Sequence, residues 1–586
     1  MLIRQTAVTG VCRRLPVLVS LFLLVWVGGC SDATRPAGEP DATSLVNVFT
    51  GTRAGAPDYG TGGGAGNTYP GAVVPFGMLQ WSPDTVPGKV NAPGGYSYDD
   101  SVLRGFSLTH VSGAGCAIHQ DVPLLPTVEP VAVSPAIAGT FLIEPRYLPS
   151  FDHAHEEAEP GFYGVTLDPG TERATTVELS TTTRTGIGRI VFPATATASV
   201  LFNAGGSAMA NGNAAFVIDP ARREVTGSVE SGQFCYHRNR YVLHFVARFD
   251  RPFAAVGTWQ GETLSSGGTS VSATFSGEFP CPFQLRPLGQ APNSPTYSCG
   301  AQAGAYVTFD TRDEPEVRVQ VAVSYVSVDA ARDNLLREQG DGFDLEGVRR
   351  AAHEAWRDAL GRIEIRGGED DDRRTFYTMF YHALLAPTTF SDADGRYFGM
   401  DGVVHDAGGR TRYTTFSGWD VYRSQIPLLA MLFPERASDM MESLVANARE
   451  SGWLPRWSVA AAAPDASVPT CRARRSTARR SSGRGSAGAI SATRARSRSR
   501  CRTVRRSGVL PARRRRRTDR TAPTSAPRAE APGYSPCASR NRSASIADMQ
   551  PVPAAVIAWR YVGSCTSPQA NTPGMLVAVE RGCVTM

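Results

Sequence analysis

The chain has 586 residues and a formal net charge of +6, which is long enough for at least two large domains and too long for a single hydrophobic core. The charge is uneven: the sequence up to residue 457 is net acidic, the remainder is strongly basic, and Lys89 is the only lysine. Eleven cysteines occur without a CxxC pair, so a cysteine-based metal module is excluded. Cys235, Cys281 and Cys299 lie close enough in sequence for one disulfide with one thiol left over, and buried free thiols fit equally well.

Residues 1–30 read as a targeting segment, with Arg4, Arg13 and Arg14 before an apolar run at 15–27. That run is short for a spanning helix. Val27-Gly28-Gly29-Cys30 resembles a bacterial lipobox, with Cys30 the residue to be acylated; an ordinary secretory signal cut nearby is the alternative. Residues 31–42, rich in Pro, Asp and Ala, read as a tether. The expectation is an exported lipoprotein, periplasmic or at the cell surface, held to the outer or cell membrane by its lipid.

Residues 43–328 read as an antiparallel β-sandwich. Residues 43–130 are glycine-rich loops and short strands, which let backbone approach a ligand closely and also make ordinary tight turns. Asn67, Tyr69, Trp81, Asp84, Tyr98 and Asp99 are the polar and aromatic groups such loops present. Strand-like runs follow at 176–184, 189–192, 199–202, 241–249, 305–309 and 317–326. In the last, Val317, Val319, Val321, Val323 and Tyr325 alternate with polar or small residues, the period-two pattern of a half-buried strand. Many such strands between Gly/Pro/Asn turns make a sandwich. His153 and His155 beside Glu156, Glu157 and Glu159 lack a diagnostic ligand spacing and read as a solvated acidic turn.

Residues 329–365 form a helical linker, in which Leu345, Val348, Ala352, Ala355, Trp356, Ala359 and Ile363 recur at helical spacing. Residues 366–458 open a helical domain: a helix at 371–386 stopped by Pro387, then a hairpin around Met400-Asp401-Gly402. The densest stretch is 412–457. There Ser417-Gly418-Trp419-Asp420 delivers a carboxylate to a helix start, where Asp420 is expected to cap orphan N–H groups. A second helix is expected from about Glu435 to Glu450, with Met440, Met441, Leu444, Val445 and Ala448 on one face and Gly452 ending it. A short loop then carries Trp453 and Trp457.

Several long segments resemble one family. VNVFTGT (46–52), GNTYPGAVVPFGMLQWSPDT (66–85), GGYSYDDS (94–101), GFSLTHVSGAGC (105–116), FDHAHEEAEPGFYGVTL (151–167) and SGWDVYRSQIPLLAMLFPERASDMMESLVANARESGWLPRW (417–457) resemble glycoside hydrolase family 92, the calcium-dependent exo-acting α-mannosidases. The resemblance implies an N-terminal β-sandwich followed by the start of an (α/α)6 toroid. It implies an inverting hydrolase of mannose-containing N-glycans or mannans, with Ca2+ bound by protein oxygens and by mannose O2 and O3. It places Trp419 and Asp420 on the sugar ring and its hydroxyls, with Arg423 in support, and gives Trp81, Asp99 (or Asp100) and Asn67 as contacts from the sandwich loops. The family's acid, base and part of its calcium site lie later in the toroid. No matching motif follows Trp457, so no residue here is assigned as acid, base or metal ligand.

Residues 459–586 change character. Runs such as RARSRSRCRTVRRSG and RRRRRTDRTAP lack amphipathic period, and the carboxylates past Trp457 are Asp465, Asp519, Glu530, Asp548 and Glu580. An Arg-rich nucleic-acid-binding tail is one reading, and a tail that packs normally is another. An altered reading frame is the third and preferred one, since GC-rich coding DNA read out of frame yields Arg, Ala, Ser, Pro and Gly. On that reading the segment is disordered, the chain lacks its catalytic acid and base, and no nucleic acid is a partner. A non-catalytic carbohydrate-binding lipoprotein is the alternative function.

Overall fold

The computed structural model describes residues 41–53, 67–86, 94–113, 118–137, 143–208, 211–232, 234, 239–274, 302–460 and the backbone of 471–472. The expectations for the signal segment, Cys30, most of the tether, Cys235, Cys281, Cys299 and nearly all of the basic tail lie outside the described residues.

Two antiparallel sheets build the N-terminal domain. The first runs, in spatial order, Ser82–Val86, Val102–Ser107, Leu124–Thr127, Ala198–Asn203, Ala303–Phe309, Ala255–Gln260 and Thr263–Ser266. The second runs Ser270–Ala273, Asn211–Asp219, Glu224–Gly232, Arg240–Phe249, Glu316–Ser324, Thr185–Val191, Thr175–Thr181, Phe162–Leu167 and Glu156–Glu159. Alternation sends one side of each strand inward. Phe106, Val200, Phe202 and Val307 from the first sheet share a core with Tyr163, Val177, Phe245 and Val319 from the second. The Phe202 and Phe245 rings stack with centroids 6.0 Å apart.

The strand Thr185–Val191 is longer than its apolar run because Gly186 and Gly188 break the pattern. A Cβ on either would come within 3 Å of the Trp81 ring, at 2.8 and 2.9 Å. Glycine is there to admit an indole. Glu316–Ser324 is buried more fully than its period suggests. Gln320, Ala322 and Ser324 are all buried, and helix α1 (Val328–Glu338) covers part of the outer face, packing Ala331 and Leu335 on Ala322 and Val246.

Helix α1 is capped by Ser327, whose hydroxyl accepts from Ala330 N at 3.0 Å. Helix α2 (Leu345–Leu360) is capped in the same way by Asp344. Trp356 on α2 is fully buried and donates its indole N–H to the Val73 carbonyl at 2.6 Å, as the helical spacing implied. Helix α3 (Asp370–Ala383) follows, then the hairpin Arg396–Phe398 with Val404–Asp406. Helices α4 (Gly418–Val421), α5 (Gln425–Leu432) and α6 (Pro434–Ser451) complete the described helices. Tyr69, Val73 and Phe76 from the glycine-rich loops pack with Trp356, Tyr381, Leu384, Phe433 and Met440 in a second core. These loops therefore join the sheets to the helices.

Gly452 ends α6 with φ +79°, the left-handed C-cap. The buried face of α6 is Ala437, Met440, Ser443 and Asn447. Met441 and Val445, expected on that face, are 38% and 41% exposed; Ser443 and Asn447 take the inward positions, where Ser443 Oγ accepts from Tyr413 N at 2.9 Å and Asn447 accepts from the buried Arg412. Arg412 donates to the Ser443 carbonyl and to Asn447 Oδ1, each at 2.6 Å, and pairs with Glu450 at 3.2 Å. Past the expected boundary at 458, Val459 and Ala460 are buried in the first core, and the backbone of 471–472 pairs with Trp453–Leu454 as a short antiparallel bridge.

Candidate functional site

The turn before α4 is docked on the loop after α6. Phe416 and Ser417 pair antiparallel with Ser458 and Trp457, and Gly418 N donates to the Arg456 carbonyl at 2.8 Å. A Cβ on Gly418 would sit 3.0 Å from that oxygen, so the close approach favours glycine. Trp457 donates its indole N–H to Ser417 Oγ at 2.9 Å, and Ser417 Oγ donates onward to the Asp420 carboxylate. This relay aims the carboxylate. It also corrects the expectation that Asp420 caps the helix: the N-cap position is Ser417, no side chain caps the first turn, and Asp420 lies within it.

Trp419 is 58% exposed, with its ring 6.3 Å from that of Trp457. Trp457 is wedged in place by the Arg456 guanidinium 4.8 Å over its ring and by the edge of Phe234 at 5.6 Å. Phe234 lies between the strands Glu224–Gly232 and Arg240–Phe249, so a sandwich hairpin touches the aromatic loop of the helical domain. Trp419 and Asp420 are neighbours in sequence, and an indole and a carboxylate are the kinds of group that take a polyol ring's C–H face and its hydroxyls.

The other expected contacts fare differently. Arg423 donates to the Tyr422 hydroxyl and lies 5.3 Å over that ring; among the described residues it forms no ion pair with Asp420, so its supporting role is not seen. Trp81 is 1% exposed and donates to the Phe106 carbonyl at 3.2 Å. Its indole is core, because the two glycines described above make a slot for it, and it offers no face to a sugar. Asp99 is half-exposed and tied to Arg53 at 2.6 Å. Asn67 accepts from Gly113 N at 2.7 Å through its carbonyl, while its side-chain Oδ1 is buried without a partner among the described residues. No described contact joins Asp99, Asn67 or Trp81 to the Trp419–Asp420 turn. His153 pairs with Glu156 at 2.7 Å and His155 with Asp152 at 2.7 Å.

Two buried polar clusters escape a linear reading. Asp84, fully buried, is held by Ser107, by His110 Nε2 at 3.1 Å and by Arg104 at 3.4 Å. Asp121, also fully buried, accepts from Thr109 Oγ1 at 2.9 Å, Ser207 Oγ at 2.5 Å and the Tyr241 hydroxyl at 2.6 Å. Burial alone would raise the Asp121 pKa, but His119 alongside at 3.8 Å and the bonds from Ser207 and Tyr241 outweigh it and hold the carboxyl below its ordinary value. The same environment, burial first and the Asp121 charge second, pushes the Tyr241 phenol up. Histidines and acids at 84, 110, 119 and 121 in one glycine-rich stretch were the available signal, but their partners come from 207 and 241.

Residues 45–324 match the glycosyl hydrolase family 92 N-terminal domain, and residues 330–466 match the family 92 catalytic domain. An uncharacterized secreted glycosidase of Arthroderma benhamiae is 25% identical over 404 residues, which is 66% of this chain and 46% of that protein. A family GH92 α-mannosidase from Bacteroides thetaiotaomicron superposes with a TM-score of 0.59 at 27% identity, over 72% of this chain and 52% of that one; its structure with mannoimidazole also matches, with a TM-score of 0.57 at 27% identity over 72% of this chain and 50% of that one. A family GH92 inverting mannosidase from the same organism gives 0.56 at 28% identity, over 71% and 50%. The chain spans about half the length of the proteins it matches.

Proposed function

The chain belongs to glycosyl hydrolase family 92, and from that premise we propose an exported protein of the exo-acting, inverting α-mannosidase type, whose Trp419–Asp420 turn holds a terminal mannose of an N-glycan or mannan. The observation that carries this is the turn itself: an exposed Trp419, and next to it in sequence the Asp420 carboxylate, oriented by the Trp457–Ser417 relay. Support for mannose comes from the mannosidase relatives, one of them solved with mannoimidazole. Support for export comes from the lipobox-like Val27–Cys30 sequence and from the relative described as secreted. Lipidation at Cys30 would hold the protein to a membrane.

An inverting hydrolase needs two carboxyl groups roughly 6.5–9.5 Å apart across the scissile bond. We assign neither to a described residue, and the few carboxylates past Trp457 fall in no recognisable motif. The family resemblance implies Ca2+. Among the described residues, no three or more His, Cys, Asp or Glu side chains converge to hold a metal ion. No described residue is assigned as a calcium ligand, and no step is derived through the ion. The proposal is therefore a sugar-holding half-site without the acid and base of turnover. Incubation of the purified chain with 4-nitrophenyl α-mannoside, with calcium and with chelator, tests it: no release of nitrophenol in either condition is expected. Calcium-dependent turnover would overturn the claim that the acid and base are missing.

A further inference from the structure

The relay that reaches Asp420 has a fixed direction. An indole can only donate, so the Trp457 N–H, 2.9 Å from Ser417 Oγ, runs to that oxygen. The one hydroxyl proton of Ser417 then goes to Asp420 Oδ2. Asp420 itself is exposed, and among the described residues its Oδ1 takes no hydrogen bond. One carboxylate oxygen is thus occupied by the protein, and the other is left to accept from a ligand hydroxyl.

The angle of the donating indole is set from outside its own loop. Backbone pairing of Ser417 with Trp457 places the Trp457 Cα but leaves its side-chain torsions open. The Arg456 guanidinium lies 4.8 Å over the ring, and the Phe234 ring meets it at 5.6 Å and 83°, the T-shaped arrangement that aromatic pairs favour. Arg456 belongs to the same loop as Trp457, whereas Phe234 belongs to the sandwich. Phe234 extends from a hairpin whose strands pair residue for residue from Glu224 with Arg248 to Gly232 with Arg240. Val229 and Phe245 of that hairpin are buried in the first core. Gly232 ends the ladder at φ +149°, where a Cβ would stand 2.0 Å from the Asn239 carbonyl oxygen, so glycine is required there. Phe234 follows two residues beyond that anchored point.

We propose that Phe234 is a positioning residue of the mannose site: through Trp457 and Ser417 it fixes the Asp420 carboxylate, so that Oδ1 accepts from one sugar hydroxyl. This assignment rests on the mannose-holding proposal above. The sandwich then reaches the turn through this ring, whereas no described contact joins Asn67, Trp81 or Asp99 to it. An acceptor held in place before the ligand arrives binds more tightly than one that must be ordered on binding.

The test is calorimetric titration of the full chain with methyl α-mannoside and its 2-, 3-, 4- and 6-monodeoxy analogues. Wild type is expected to bind one analogue about 5–10-fold more weakly than the parent, the worth of the hydrogen bond to Asp420. Phe234→Ala is expected to weaken the parent about 3–10-fold, the worth of one edge-to-face pair. That analogue makes no bond to Asp420 and should keep its wild-type affinity, so the gap between the two narrows. Trp457→Phe, which keeps a ring against Phe234 but removes the N–H, should narrow the same gap. Phe234→Tyr is the conservative rescue: it keeps the edge contact and should hold the gap open. If Phe234→Ala does not fold, Phe234→Leu decides by the same comparison. A variant that weakens the parent and every analogue by one factor shows a structural wedge only and overturns the assignment, as does one that leaves affinity and gap unchanged. In both cases wild-type binding leaves the mannose site standing. Equal binding of the parent and all analogues by wild type overturns the Asp420 contact and the assignment with it. Absence of mannoside binding by wild type overturns the mannose site as well.

Discussion

Asp392 sits where the sheets, α1 and the helical domain meet, and substituting it tests how that junction is held. Its side chain is 2% exposed and accepts from Ser324 Oγ at 2.7 Å and Asn334 Nδ2 at 2.8 Å. Burial pushes its carboxyl from 3.8 up to about 6, against the pull of those two bonds and of Arg184, with Asp394 adding to the rise. The folded protein therefore prefers the protonated acid. The stability this contributes is fully present below the unfolded pKa near 3.8 and is lost as pH rises through about 6. A shift of about two units corresponds to about 3 kcal/mol. Asp392→Asn keeps the group neutral at every pH. The amide must donate to Ser324 where the carboxylate accepted, which costs about 1 kcal/mol. The variant is expected to be about 2 kcal/mol more stable than wild type at pH 7.5 and about 1 kcal/mol less stable at pH 4. Urea unfolding followed by tryptophan fluorescence at pH 4, 5.5 and 7.5 measures the difference. A gap between variant and wild type that does not change with pH, or that moves in wild type's favour as pH rises, would falsify the argument.

Three other outcomes follow from the same geometry. Glu450→Ala strands the buried Arg412 guanidinium, whose side chain is 5% exposed; the expected cost is about 3–5 kcal/mol, read as a lower urea midpoint. Trp81→Ala empties the slot between Gly186 and Gly188 and is expected to cost about 3–5 kcal/mol, whereas a surface sugar contact would change stability hardly at all. Trp419→Ala, at a site 58% exposed, is expected to change stability by under about 0.5 kcal/mol while removing mannoside binding; a large loss of stability would show that the indole is structural.

Much of the architecture was legible because it rests on local period. The alternation at Val317–Val323 and the helical spacing of Leu345, Ala352, Trp356 and Ala359 each named an element and its buried side. What was not legible depends on what lies across the fold. Trp81 stands among turn residues and reads like a surface indole until the glycines at 186 and 188 are placed beneath it. Met441 and Val445 look like core on helical spacing, but the Tyr413 N–H and Arg412 claim the inward positions for Ser443 and Asn447. Asp420 sits at a helix start, and nothing in the sequence shows that Ser417 and Trp457 bind its turn instead. The Asp121 cluster joins residues up to 122 positions apart, a closeness that no short-range pattern encodes.

The central claim is that the Trp419–Asp420 turn holds mannose. Its most direct test is titration calorimetry of methyl α-mannoside into the full chain, beside Trp419→Ala and Asp420→Ala. Saturable binding by wild type that both substitutions remove is the expected result. No binding by wild type, or binding that both variants retain, would contradict the claim.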